Sequence, residues 1–474
     1  MRTTLTIGSA TLLVVAAGVL IQALPVAFLL ADSGRYGTYL FVWAAQLVGV
    51  PLGAWLGGIL FDRGAVRIHL ASAAAAALVG AALFLAAGEG FLWPALGSGL
   101  LGVFFGLATT LAFAAVGARV TFAARPAALA ALLLGSLIVV NVAFSLVLWE
   151  PFTLAIAGGA LLVGGIGVAA ALASPVRGGT SVAIGVAAAL ASPVRGGTSV
   201  AIGPAVAPLA AVMLGMVAIF VGIESSRVAA SFLIIPLQNV SIEAITLFRF
   251  VSFALGLGLV ALGGRAFLGL VGTTFADVRA IVILAMVGLV SGVLAAAFTI
   301  QAAMEGDFTA YGALVAAGLL IGILVSIGWL ARQPTSTGPV RLGAVLLAMG
   351  GALIVVQLFV GRLPTAVLVP GVLMAGVGAG LAILVVRACV ADAPLDVLGR
   401  LTAASVVAAH AGTQLGTMAA STLSTMTQEI ELDPAWGLTE VVTVIAASLL
   451  VLVLGLRATG RQPERRPSTD PLAA

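Results

Sequence analysis

From Leu5 to Leu456 the chain is built almost entirely of apolar runs of about twenty residues, separated by charge, proline or glycine. A helix rises about 1.5 Å per residue, so each run is long enough to cross about 30 Å of hydrocarbon. About fourteen such spans are expected. Six open the chain: Leu5–Ala31, Thr38–Phe61, Ile68–Gly88, Leu92–Val120, Pro126–Trp149 and Pro151–Ser174. Val206–Ile235 and Ser241–Gly263 follow a linker. The last six are Ala280–Ile300, Thr309–Ala331, Leu342–Val360, Thr365–Val390, Leu401–Met426 and Trp436–Leu456.

The rest of the composition agrees with a chain solvated by lipid. Only 8% of its residues are charged, against about 25% in an ordinary soluble domain. The first run carries one positive charge ahead of it and is about twice the length of a signal-peptide core, so it reads as an uncleaved span. All 21 basic residues are arginine, as in a GC-rich bacterial genome, and none forms a basic patch interleaved with aromatics. Nucleic acid is therefore excluded as a partner. The lone cysteine, Cys389, lies in an apolar run and rules out a disulfide framework or a cysteine metal site.

Loop charge sets the orientation, because cytoplasmic loops hold the arginines. With the N-terminus inside, Arg2, Arg63, Arg67, Arg119, Arg125, Arg177, Arg195, Arg265, Arg279, Arg332, Arg341, Arg387, Arg400 and the four tail arginines fall on the inner side. Only Arg35 and Arg362 fall outside. The acids Asp32, Glu89, Glu150, Glu305, Asp307, Glu429, Glu431 and Asp433 lie on the outer side. A shift by one span would scramble this alternation, so both termini are expected in the cytoplasm of a bacterial cell, the chain lying in its membrane.

The stretch from Ile166 to Gly203 contains one 18-residue unit written twice. Its first copy finishes the sixth span. The second has too few apolar residues to cross the bilayer and reads as linker. A polar, glycine-rich connector tolerates such an insertion at little more than the cost of loop entropy. A docking or regulatory segment carrying Arg177 and Arg195 is the alternative.

Internal matches give the architecture. Aligning Tyr39 with Tyr311 brings Ala44 and Ala45 onto Ala316 and Ala317 at an offset of about 272, and Gly106 falls on Gly380 at about 274. Spans one to six and nine to fourteen then form two repeats, a known transporter plan, with an inserted hairpin between them. The expected units are a six-helix bundle at 1–174, a linker at 175–205, the hairpin at 206–263, a second bundle at 264–456 and a tail at 457–474.

The loop between spans two and three reads GGILFDRGAVR. It resembles the G-x-L-x-D-R-x-G-R-R loop of the major facilitator superfamily, specifically its fourteen-helix drug/proton antiporter branch. Gly58, Leu60, Asp62, Arg63 and Arg67 match, while Ala65 and Val66 stand where the family has glycine and a basic residue. Gly58 lets backbones approach, and Asp62 can cap the helix start beside it and pair with basic residues, latching one bundle to the other. Other antiporter positions depart: Ala16 stands where the first span's motif has an acid, and Gly102 where the fourth span's motif has arginine. The family's proton-coupling residues therefore do not carry over, and proton coupling stays open.

Charges inside a bilayer cost roughly 2.5–3.5 kcal/mol each, which singles out those that persist. Glu224 and Arg227 in span seven and Arg249 in span eight are three such groups, fit to hold an anionic headgroup or to staple the hairpin. His410, Gln414, Thr417 and Ser421 form one polar stripe on span thirteen, either lining a cavity or bonding between helices. Gln22, Trp43, Gln46, Asn141 and Tyr311 are further candidate cavity-lining positions. His69 and His410 lie in different spans without catalytic partners, so no enzyme, metal site or cofactor is expected.

The fold expected is all-α and polytopic, with the 6+2+6 arrangement. The function expected is secondary transport, with export of an amphipathic or hydrophobic drug-like molecule or lipid by a monomer. A non-transporting assembly or sensing protein on the same scaffold is the alternative, because fold alone does not fix function.

Overall fold

A computed structural model of the chain describes residues 8, 10–21, 36–86, 92–135, 203–223, 242–271, 279–293, 308–332, 338–360, 365–432, 453–454 and 457. The duplicated unit, the sixth expected span and nearly all of the last lie outside them. Among the described residues there are 12 helices. They are α1 (Ala10–Ile21), α2 (Tyr36–Asp62), α3 (Val66–Leu85), α4 (Leu92–Arg119), α5 (Arg125–Gly135), α6 (Gly203–Ile223), α7 (Ile242–Val271), α8 (Arg279–Val293), α9 (Phe308–Arg332), α10 (Gly338–Val360), α11 (Thr365–Ala391) and α12 (Leu398–Leu432). A single 3-10 turn, Phe122–Ala124, links α4 to α5. Helix α7 runs to Val271, past the span end expected at Gly263.

Lipid tails are as apolar as leucine, so helices in a bilayer associate by close packing of small residues rather than by the hydrophobic effect. The first half follows this rule around α4, which lies between α2 and α3. A Cβ on Gly53 would run into the Val103 carbonyl, and one on Gly106 into the backbone of Val50 and Ala54. On the other side of α4, Gly97 meets the Gly80 carbonyl of α3.

The second half repeats the pattern around α11, which lies between α9 and α10. Gly318 and Gly322 of α9 face Gly376 and Gly380, and Gly343 of α10 faces Gly378. The crossing of Gly49 and Gly53 on Gly102 and Gly106 is thus made twice, with offsets of 269 on one helix and 274 on the other. The tyrosine alignment at 272 is therefore three residues out of step on the first helix. Helices α8 and α12 meet through a further ladder in which Gly288 and Gly292 lie on Ala409 and Thr413, and Gly412 and Gly416 on Ala285 and Leu289.

Helices α6 and α7 form a hairpin closed by Gly215 against Gly256. One face of α6 buries Val212, Met216 and Phe220 together with Leu47, Val50 and Ala54 of α2 and Ala403, Val406 and Val407 of α12. It therefore lies along the seam where α2 of the first half meets α12 of the second. The outward face of α7 exposes Leu247, Phe248, Val251, Leu255 and Leu262, an apolar surface that suits lipid.

These crossings predict a position-specific response to bulk. Gly106→Leu is expected to lose about 3 kcal/mol, because the added side chain has only backbone to displace. Gly258→Leu, on a site with nothing within 4 Å of its Cβ position, is expected to be neutral. Thermal unfolding in detergent compares the two, and equal midpoints would remove the glycine crossings as the basis of the fold.

Candidate functional site

The loop that carried the family resemblance begins where α2 stops. Gly64 takes the left-handed conformation, φ 68°. Its N–H donates to the Phe61 carbonyl at 2.9 Å, and the Ala65 N–H donates to the Leu60 carbonyl at 2.8 Å. This paired closure ends a helix when glycine supplies the positive φ. The glycine that the turn needs is therefore Gly64, one place ahead of Ala65.

Asp62 is buried at this helix end. It does not cap the helix beside it, because α3, which starts at Val66 after its N-cap Ala65, has no side-chain capping bond. Its carboxylate instead reaches across to the second half. The Gly399 N–H donates to Oδ1 at 2.7 Å and the Arg400 N–H to Oδ2 at 3.2 Å. Arg400 Nε also donates to Oδ2, at 2.9 Å.

The first turn of a helix has N–H groups with no intrahelical acceptor and a partial positive charge. Asp62 satisfies two of these on α12 and neutralises Arg400 at the same place. The approach requires glycine on both helices. A Cβ on Gly58 would sit 2.8 Å from the Gly399 carbonyl, and one on Gly399 would collide with the Gly58 carbonyl and the Asp62 carboxylate.

A second ion pair joins the halves at the same end. Arg125, at the start of α5, pairs with Asp392, just past α11, at 3.1 Å, and its Nε donates to the Val120 carbonyl at 3.0 Å. Charge counting placed Arg125 at this end but did not single it out, and it passed over Asp392. Arg63 is exposed, and Arg67 stands on α3.

Arg387 lies one turn inside the end of α11, at 6% exposure. Its guanidinium stacks on the Phe113 ring of α4, 4.3 Å from the centroid, and Nη1 donates to Ser405 Oγ of α12 at 2.6 Å. Nε has no partner. A desolvated cation–π contact is worth about 2 kcal/mol and a hydrogen bond from a charged group about 1.5–3. These offset part of a burial penalty of several kcal/mol but, among the described residues, leave the charge without a counter-ion. By charge alone Arg387 is one more inner-side arginine at a helix end.

Further along the seam, α2 and α12 bring together three of the polar residues singled out above as cavity candidates, Gln46, His410 and Gln414. Gln46 Nε2 donates to the Ile21 carbonyl at 3.1 Å, and the His410 ring faces the Gln46 backbone. His410 Nε2 and Gln414 Oε1 have no hydrogen-bond partner. Trp43 packs beside the same seam.

Thr417 does not extend this patch through its hydroxyl, which donates to the Thr413 carbonyl of its own helix at 3.0 Å. His69 is a packing residue: it is buried, with Nε2 2.8 Å from the Leu107 carbonyl and the ring against Gly57. Gln22, Asn141, Glu224 and Arg227 lie outside the described residues. Arg249 and Tyr311 stand on α7 and α9, and Ser421 on α12, with their side chains outside the description. Among the described residues no group of three histidines, cysteines or acids could hold a metal ion.

Comparison with solved structures identifies the fold. The chain superposes along its whole length on the proton:xylose symporter XylE, with a TM-score of 0.55, 14% identity and cover of 100% of this chain and 98% of that one. The fold is that of the major facilitator superfamily. A bacterial homologue of the iron transporter ferroportin, in an outward-facing state, matches with a TM-score of 0.54 at 17% identity, covering 97% and 100%. The human organic anion transporter MFSD10 matches with a TM-score of 0.52 at 15% identity, covering 94% and 98%. No protein-family model matches the sequence, and no curated protein sequence does.

The geometry of the Asp62 contact gives a coupling energy to measure. In a double-mutant cycle of Asp62→Asn and Arg400→Gln, thermal unfolding is expected to show coupling of about 1–3 kcal/mol. Additivity within about 0.5 kcal/mol would mean that the pair does not hold the halves together.

Proposed function

We propose that the chain is a secondary transporter of a bacterial cytoplasmic membrane, working by alternating access and exporting amphipathic or hydrophobic small molecules. The observation that carries this reading is the Asp62 contact. A bond between the end of α2 and the start of α12 ties the two halves at one end, so its release lets them part there. The arginine count makes that end cytoplasmic and puts both termini on the same side.

The neighbours in fold support transport in general: one is a sugar symporter, one resembles an iron transporter and one moves organic anions. The surroundings of the seam support an apolar or amphipathic cargo. Ile21, Leu47, Val50, Val406 and Val407 dominate it, with Gln46, His410 and Gln414 as its few polar groups. A sugar needs a denser set of hydrogen-bonding partners than this.

The α6–α7 hairpin supports a place in the fourteen-helix, drug-exporting branch of the superfamily. Its seal over the α2–α12 seam keeps lipid out while the halves move. The charged groups Glu224, Arg227 and Arg249 serve that hairpin as a staple. Protons are the candidate coupling ion, and the working unit is a monomer.

Inverted membrane vesicles test the reading. A fluorescent amphiphile is expected to accumulate inside them, with a dependence on an imposed pH gradient if protons drive the cycle. Asp62→Asn is expected to slow accumulation about tenfold, the rate equivalent of about 1.4 kcal/mol. Equal signals from vesicles with and without the protein would end the transport reading.

A further inference from the structure

Arg387 is a buried cation that the latch does not use. Its neighbours divide between the halves: Ser405 shares its own half, while Phe113 belongs to the other. Asp62 is taken by α12 and Arg400, and Asp392 is paired with Arg125. Among the described residues no carboxylate pairs with Arg387. An aromatic face therefore covers a planar fork of donors whose best partners are carboxylate, phosphate or sulfonate.

We propose that Arg387 binds the anionic group of the transported molecule, and that this site is open only when the two halves part at the Asp62 end. The inference rests on the transport reading and names its cargo class, an amphiphile with one acidic group. Parting the halves carries Phe113 away with α4 and leaves Arg387 and Ser405 together on α11 and α12. The guanidinium, its face no longer covered by the ring, then presents its Nε to the acidic group. Ser405 Oγ, which donates to the Thr402 carbonyl at 2.7 Å, keeps the fork oriented by accepting from Nη1.

Closing the halves returns Phe113 to the guanidinium. The ring then competes with the anion for the same cation and drives it from the site. Lysine in place of Arg387 keeps the charge but loses the fork, whereas glutamine loses both. Removing the Phe113 ring removes the competitor.

Two probes of matched apolar length test this on the full chain in a neutral detergent: 11-(dansylamino)undecanoate and its uncharged amide. The wild type is expected to bind the acid at least tenfold more tightly than the amide. Arg387→Gln is expected to abolish that preference while still binding the amide, which also shows that the variant is folded. Arg387→Lys should retain part of the preference, and Phe113→Leu should tighten the acid several-fold without changing the amide.

Phosphatidylglycerol added as a competitor identifies the source of the anion. Displacement of the probe assigns the site to a lipid headgroup, and no displacement assigns it to a free amphiphile; either supports an anion site at Arg387. Equal binding of acid and amide by the wild type, no binding of either, or an intact preference in Arg387→Gln would overturn it. A chain that binds the acid through Arg387 but accumulates nothing in vesicles keeps this site and loses the transport reading. The reverse result loses the site alone.

Discussion

At one end of the molecule the Asp62 carboxylate of the first half caps a helix of the second. Asp62 stops being a surface helix-end residue once α12 arrives, because it becomes the acceptor for the N–H groups of Gly399 and Arg400 and for the Arg400 side chain. A buried carboxylate is costly unless it is paired, and here the pairing exists only while the halves touch. The same interaction that stabilises the closed end therefore makes opening a discrete event. Gly58 and Gly399 are the condition for it, since any side chain there would hold the helices apart.

Around that point the structure separates what must be rigid from what must slide. Within each half, glycine ladders bring backbones into contact, and these crossings have no flexible atoms to give way. Between the halves the Gly58–Gly399 approach is joined by contacts of another kind, the Asp62 cap, the Arg125–Asp392 pair and the Arg387–Phe113 contact, each of which can be exchanged for water or ligand. Helix α6 lies across the seam with apolar side chains, which tolerate small displacements better than a hydrogen-bonded ladder.

Much of this was legible in the sequence, but unevenly. The helical class followed from run length alone, and the 58–67 loop marked the place where the halves meet. The helix that Asp62 caps was not legible, because its start lies 337 residues away and no local pattern links the two. The repeat was legible from two matches: Gly106 on Gly380 has the register of the crossing glycines, whereas the tyrosine and alanine match is three residues off on its helix. Arg387 was counted correctly as a basic residue near a helix end. A count of charges does not register that its neighbours are an aromatic ring and a hydroxyl. His69 could have been read from Gly57, since a glycine on a facing helix makes room for a ring.

The central claim is that the Asp62 contact is a releasable latch. The direct measurement is the distance between nitroxide labels at Arg63→Cys and Asp396→Cys, in a chain whose Cys389 is replaced by alanine, read by pulsed electron resonance. Both positions are exposed and flank the contact. Two distance populations are predicted, with the short one dominant when Asp62 is present and the long one gaining in Asp62→Asn. A single narrow distance, unchanged by that substitution, would contradict the account.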